Sequence, residues 1–383
     1  MRPWHPRLAR ARRGRANTYH CIGIDVHKKT SHIVVLEDGT GRVLLDKNIR
    51  TKKDRFEVEL GPLAPAKVLI ESSTLARWVA DFLGGLGFTV IVGNPNYPLM
   101  YASRPANRKN DREDARALAF ACHAGHFRPV HRVSDAHRAI EELLGSRALV
   151  VGTRTTHVNR IRALYAGAGL TLPACDAARF RVEVTNAGVA PTLVGAIQPL
   201  LEMLAMVDDQ LHHLDRRIEQ IADAHPIARL LMTVPGVGPI VALAFIATID
   251  TVGRFGNAHM LESYLGLVPR LHASAGPGDG GHISKMGATY LRSLLVQAAW
   301  AVLRSKDPST TALQTWTNTL AQRRSPKVAV VALARRLAGV LFAIWRDGKP
   351  FELRESKFSS ATPAKPLVRR YDLKSERGVT KAS

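Results

Sequence analysis

The feature that most constrains the fold is a succession of short apolar runs in roughly the first 125 residues. Residues 20–26 (His-Cys-Ile-Gly-Ile-Asp-Val) read as a buried strand ending in an acid, and 32–37 as a second strand. Asp38-Gly39-Thr40-Gly41 is a turn signal and 42–49 a third strand, so the three form a meander. A short helix over 52–60, a strand over 67–71 (Lys-Val-Leu-Ile-Glu), a helix over 74–85, a strand over 87–92 and a helix over 110–125 follow. The order β-β-β-α-β-α-β-α predicts an α/β domain.

Beyond this point the pattern is helical. Residues 134–168 have helical periodicity and many Arg, and Pro173 stops them. Over 192–222, Leu193, Ile197, Leu200, Leu201, Leu204, Leu211, Leu214 and Ile218 recur at three-to-four spacing. That is a long amphipathic helix, read either as a coiled-coil arm or as a bundle helix. A second compact region begins near 227, with an alanine-rich helix over 239–249, a Gly-rich polar loop over 270–288 and helices over 289–304 and 326–346. The chain therefore divides into a basic arm (1–18), an α/β domain (19–133), a helical linker or coiled coil (134–225), a mainly α C-terminal domain (226–353) and a basic tail (354–383). Both ends are expected to be disordered.

Charge narrows the function. The 383 residues hold 54 Lys and Arg against 32 Asp and Glu, a net charge of +22. The first 18 residues carry +6 and residues 354–383 carry +5, which leaves +11 on the body between them. A basic body argues against a generic small-molecule enzyme and for a polyanionic partner, nucleic acid above all. Cys21, Cys122 and Cys175 lack CxxC spacing, which argues against a disulfide framework and a Cys-based zinc site and fits a reducing cytoplasm. No run of 18 apolar residues is present, so no membrane span is expected. The Arg-rich start has no apolar core of a secretory signal and reads as a basic arm rather than a transit peptide.

Four acids carry the chemistry. Asp25 ends the first strand, Glu71 ends the fourth, and Asp111 and Asp114, three apart at a helix start, project from one face. One such acid alone is an ordinary strand end, and Asp111 alone an ordinary helix cap. Together, on neighbouring strands beneath a helix, they make a pocket of oxygen donors that repel one another until a hard divalent cation, usually Mg²⁺, relieves them. Two ions about 3.5–4 Å apart can stabilise both oxygens of a phosphoryl transfer. Lys28, Lys29, Arg108, Lys109 and Arg112 surround these acids and suit a phosphate backbone.

These residues carry a resemblance. Gly23-Ile24-Asp25-Val26-His27-Lys28, Ile70-Glu71-Ser72-Ser73, Asn94-Pro95 and Arg108-Lys109-Asn110-Asp111-Arg112-Glu113-Asp114-Ala115 resemble the DEDD-type insertion-sequence recombinases, the Piv/MooV-like transposases of insertion-sequence family 110. Pro235-Gly236-Val237-Gly238, Tyr264-Leu265-Gly266-Leu267-Val268-Pro269, Ser274, Ile283-Ser284-Lys285 and Leu291-Arg292 are similar to that family's C-terminal domain. The match runs in order from about residue 19 to 350, and the ordered set is far more specific than any one motif. The resemblance implies a RuvC-like ribonuclease H fold, with Asp25, Glu71, Asp111 and Asp114 as the DEDD acids on two Mg²⁺ (or Mn²⁺) ions. It also implies a serine nucleophile in the C-terminal domain and a structured guide RNA that pairs with donor and target DNA. The implied working form is a homotetramer assembled from dimers, nucleoid-associated in a prokaryotic cytoplasm, whose sites join one subunit's acids to another's serine.

Ser274 is the expected nucleophile, with Ser284 in the same loop as runner-up. A serine hydroxyl needs activation; His272 and His282 are near in sequence, but no Ser-His-Asp set is apparent. Pro235-Gly236-Val237-Gly238 between two helices reads as a helix-hairpin-helix turn whose Gly236 and Gly238 present N–H groups to phosphate, with Lys285 and Arg292 adding charge. The same tetrapeptide also suits a plain helix–helix turn. His123, His126 and His131 have a spacing that suggests zinc, set aside because no Cys or acid joins them in sequence.

Three other readings compete. A Holliday-junction-type nuclease would use the acids and water without Ser274. An actin-like kinase would need a phosphate loop where Val26-His27-Lys28-Lys29 stands. A non-catalytic binder would keep four clustered acids to no purpose.

Overall fold

The computed structural model describes residues 20–104, 110–176, 179–189, 191–270 and 282–352. Ser274, Arg108, Lys109 and His272 lie outside the described residues, as do both basic ends. The chain separates into two compact units, divided between Arg132 and Val133.

The first unit is built on five strands: β1 (His20–Val26), β2 (Thr30–Glu37), β3 (Val43–Arg50), β4 (Lys67–Glu71) and β5 (Thr89–Gly93). The sheet order is β3-β2-β1-β4-β5. β1, β2 and β3 pair antiparallel, whereas β1, β4 and β5 are parallel. Both faces are covered, which is why β1, β2 and β4 read as near-continuous apolar runs rather than alternating ones. Ile22, Ile24, Ile33, Val68 and Ile70 face α1 (Lys53–Leu60) and α2 (Ala76–Gly85), packing on Phe56, Leu60, Val79 and Leu83. Cys21, Val34, Leu36 and Leu69 face α3 (Asp111–Ala124), packing on Ala115, Leu118 and Ala119.

Among the described residues the main elements of the second unit are helices: α4 (Asp135–Gly167), α5 (Phe180–Ala187), α6 (Val194–Ala224), α7 (Pro226–Leu231), α8 (Pro239–Ile249), α9 (Ala258–Tyr264), α10 (Thr289–Arg304), α11 (Thr311–Arg323) and α12 (Pro326–Asp347). α4 and α6 run antiparallel. Ile140 and Leu144 of α4 share the main core with Ile218 and Ala222 of α6, and that core continues through α8, α10 and α12. At the other end Ile161 and Tyr165 meet Ile197 and Leu204, with Phe180 and Val184 of α5 closing a separate cluster. Arg147 pairs with Asp215, and Arg154 Nε with Asp208 Oδ1 at 2.7 Å.

α12 is long and apolar enough, by length and composition, to cross a membrane. The absence of an uninterrupted apolar run in the sequence had pointed the other way. Half of the apolar window is buried, and Leu333, Leu337, Leu341 and Phe342 lie in the helical core.

Candidate active site

Asp25 and Glu71 are neighbours because β1 and β4 are parallel and in register, Ile24 opposite Ile70. Period-two alternation puts both acids on the face that carries Gly23 and Leu69, beneath α3. The helix comes close at Gly23. A Cβ there would lie 2.2 Å from the Ala115 carbonyl oxygen and the Ala119 nitrogen, so the strand and helix backbones touch. That contact sets the start of α3 over the end of β1. Asn110 caps the helix, accepting from Glu113 N at 2.9 Å, and Asp111, Glu113 and Asp114 fill its first turn, where the helix dipole favours acids.

The four acids share one electrostatic neighbourhood. Asp25 is buried, and His27 Nε2 lies 3.0 Å from its Oδ2 and 3.3 Å from Asp111 Oδ1. Burial pushes the Asp25 carboxyl above its ordinary value; His27 opposes this, and the charges of Asp111 and Asp114 add to it. Burial alone would lower the His27 imidazole, but the charge and hydrogen bonds of Asp25, then Asp111, outweigh it and raise it. Asp114 is buried and accepts from Arg104 Nη1 at 2.8 Å. Glu71 accepts from the Tyr101 hydroxyl. Burial raises the Tyr101 phenol, and the charges of Glu71, Asp114 and Asp25 raise it further. Arg104 lies over the Tyr101 ring, 5.1 Å from its centroid, which ties the two pairs together.

His27, Tyr101 and Arg104 were not singled out in the sequence. His27 stands in the Gly23–Lys28 motif, and that was the available signal. Tyr101 and Arg104 reach the acids because a short 3-10 turn, Pro98–Tyr101, folds over them, and neither has a readable spacing.

The donor set fits a hard divalent cation. It offers carboxylate oxygens from two strand ends and one helix start, and its acids now lean on His27 and Arg104 for neutralisation. Asp25, His27 and Asp111 by themselves present three donor atoms within 4.8 Å of one another.

The remaining expected residues are dispersed. Lys28 and Lys29 are exposed in the β1–β2 turn. Arg112 is exposed and held by Asp46, Nη2 to Oδ2 at 2.9 Å, with His32 on the same carboxylate at 2.7 Å. Gly236 has φ +82° at the third position of a turn closed by Val237 N to Val234 O at 3.0 Å, so Pro235-Gly236 forms a type II turn between α7 and α8. A Cβ on Gly236 would meet Ala298 O at 2.9 Å, so it packs on α10, while Gly238 faces open space.

Arg292, expected at a nucleic-acid surface, is instead buried. Its guanidinium donates to the carbonyls of Leu265 (2.8 Å), Met286 (3.0 Å) and Lys285 (3.1 Å) and to Thr289 Oγ1 (3.2 Å). A charged group buried at a turn is used where carbonyls lack other donors. Arg292 thus fixes the backbone below the exposed Lys285. The serine loop is closed at its base: Arg270 N donates to His282 O (3.0 Å), Ser284 N to Val268 O (2.8 Å), and Pro269 bridges Ile283. The Ser284 hydroxyl oxygen is buried with no hydrogen-bond partner.

Comparison with known proteins gives this geometry a family. The DEDD transposase family of the IS110 type matches residues 22–168, the stretch that holds all four acids. The IS116/IS110/IS902 transposase family matches residues 228–314. A probable family 20 transposase of Pseudomonas aeruginosa is 33% identical over 74% of this chain and 84% of its own length. The transposase of insertion sequence element IS1111A from Coxiella burnetii is 28% identical over 90% of this chain and 94% of its own. The pilin gene-inverting protein of Moraxella lacunata is 31% identical over 38% of this chain and 46% of its own. A DEDD-type domain suggests dependence on a divalent metal. Two family matches in order, the first over the sheet and helix that carry the four acids and the second over the helical unit, with a relative 33% identical, make this chain a DNA-acting enzyme of the IS110 family of insertion-sequence transposases.

Proposed function

We propose that the chain is a recombinase that cuts and rejoins DNA strands through a covalent serine intermediate, guided by a structured RNA. The observation that carries this reading is the meeting of Asp25, Glu71, Asp111 and Asp114 around Tyr101, Arg104 and His27. The sheet order, an antiparallel meander continued by two parallel strands, supports a RuvC-like ribonuclease H fold. Two Mg²⁺ ions, or Mn²⁺, supply charge stabilisation at the phosphate oxygens when bound. Asp25 and Glu71 hold their carboxylates at fixed strand ends. Asp111 and Asp114 close the set from α3. Lys28 and Lys29, with Arg108 and Lys109, hold the DNA backbone beside them.

Ser274 then attacks. Its Oγ–P bond forms as one P–O ester bond of the DNA breaks, and the hydroxyl proton ends on the departing DNA oxygen. One phosphodiester replaces another, so attack by a DNA hydroxyl on the same phosphorus restores the strand without outside energy. The buried, clasped position of Ser284 favours Ser274 over it. Rejoining is favoured over plain hydrolysis because a relative is a gene-inverting protein, and inversion needs strands to be resealed.

The guide RNA supplies base pairing with donor and target, while the basic body supplies phosphate contacts. Exposed Leu149, Met203 and Met206 on α4 and α6 support a coiled-coil arm that pairs subunits, the dimers assembling into a tetramer.

Trapping tests the reading. Full-length protein is incubated with a suicide DNA substrate, digested and analysed by mass spectrometry. A DNA adduct on Ser274, absent in Ser274→Ala and kept in Ser284→Ala, is the expected result. Full recombination by Ser274→Ala, or cleavage with no adduct at all, overturns the serine step and leaves a metal-and-water nuclease. Sequencing RNA that copurifies with the protein tests the guide.

A further inference from the structure

We infer that the first unit holds a second cation site, of zinc class, at the end of α3 remote from the DEDD acids. The Cys21 thiol, an Asp38 carboxylate oxygen and a His123 ring nitrogen all lie within 4.8 Å of one another. Donors around a tetrahedral zinc stand roughly 3.3–3.8 Å apart, so closure asks for about 1 Å of movement. The His123 Nδ1 atom is buried without a hydrogen-bond partner, 3.5 Å from Asp38 Oδ1. An orphaned imidazole nitrogen beside a thiol and a carboxylate is the arrangement a metal ion satisfies. Cys122, the residue before His123 on α3, donates its thiol to the Lys67 carbonyl at 3.8 Å and is not one of the three donors.

The donors select the ion. Thiolate and imidazole ligands suit zinc and exclude Mg²⁺ and Ca²⁺, whereas the DEDD carboxylates suit Mg²⁺. The two sites are separate in space. Cys21 precedes Asp25 by four residues along β1, about 13 Å of strand. His123 follows Asp111 by twelve residues along α3, about 18 Å of helix. Binding releases a thiol proton to solvent. Both thiols are buried, and Asp38 and His123 are partly exposed, with side chains 45% and 28% accessible, which leaves a way in. An ion here ties three elements: the start of β1, the β2–β3 turn and the last turn of α3.

Cobalt(II) is the probe. Reduced, metal-stripped full-length protein is titrated with Co²⁺, followed by Zn²⁺. A thiolate-to-cobalt band in the near ultraviolet with tetrahedral visible bands, saturating at one equivalent and displaced by Zn²⁺, is the expected result. The bands persist in an Asp25→Asn, Asp111→Asn variant, so this site and the proposed recombinase site fail independently. They vanish in Cys21→Ser and in His123→Gln, and Asp38→Asn, on an exposed turn, weakens Co²⁺ binding at least about tenfold. Zn²⁺ raises the Tm of the native protein and not that of His123→Gln. Absence of the thiolate band at one equivalent, or a band unmoved by both Cys21→Ser and His123→Gln, overturns the site.

Discussion

A methyl group at position 23 would fall 2.2 Å from backbone atoms of Ala115 and Ala119. No rotamer relieves a clash with main chain, so Gly23→Ala must push α3 off the sheet. The expected cost is at least about 1–3 kcal/mol of stability. The expected loss of metal-dependent DNA cleavage is larger than that cost explains, because Asp111 and Asp114 move away from Asp25. Denaturant unfolding measured beside cleavage separates the two, and cleavage that survives intact would contradict this account of the spacing. The acids themselves allow a sharper experiment. Asp25→Ala, Glu71→Ala, Asp111→Ala and Asp114→Ala should each reduce recombination at least about 10³-fold. Each should keep its circular dichroism spectrum and its nucleic-acid binding. Near-normal recombination in any one of them, with Mg²⁺ present, removes that residue from the site.

At the scale of elements, His225 shows how a short helix is held. It caps α7, Nδ1 accepting from Ala228 N at 3.4 Å, which requires the neutral ring. Burial lowers its pKa below 6.5, and the neighbouring His137 lowers it further. A histidine with a lowered folded value contributes stability above the unfolded value and loses it as pH falls through the folded one. The Tm should therefore drop between about pH 7 and pH 5, and His225→Asn, a cap that does not titrate, should flatten that drop. An unchanged slope would show that the cap plays no part. The elements also mark what was legible. β1 and β4 were readable because a strand buried on both faces shows as a short apolar run, and α8 because it is apolar all round. α7 and α9, of six and seven residues, are too short for periodicity, and the Thr-rich α11 has no clear apolar stripe. The four acids were readable because strand ends and a helix start announce themselves. Tyr101 and the Cys21–Asp38–His123 group were not, since their partners lie far apart in the chain, and Arg104, ten residues before Asp114, reaches it only through the turn at Pro98–Tyr101. Spacing within one segment could not show the His123 group, whose other members come from β1 and a hairpin turn.

For the molecule as a whole, charge is the dominant quantity. A body charge of +11 predicts strong binding to RNA and DNA that falls steeply with salt. If six or more phosphates are contacted, affinity should fall roughly 10³-fold between about 50 and 200 mM salt. Fluorescence anisotropy across that range checks it, and a flat response would exclude an electrostatic interface. Removing residues 354–383, which carry +5, should weaken binding only in part.

The contact at Gly23 has a mechanical consequence. Most helices ride on a sheet through a layer of side chains, which can yield by changing rotamer. At Gly23 that cushion is missing, so β1 and the middle of α3 behave locally as one stiff body. A shift of β1 at this point must therefore be matched by a shift of α3, because no side chain stands between them to take it up.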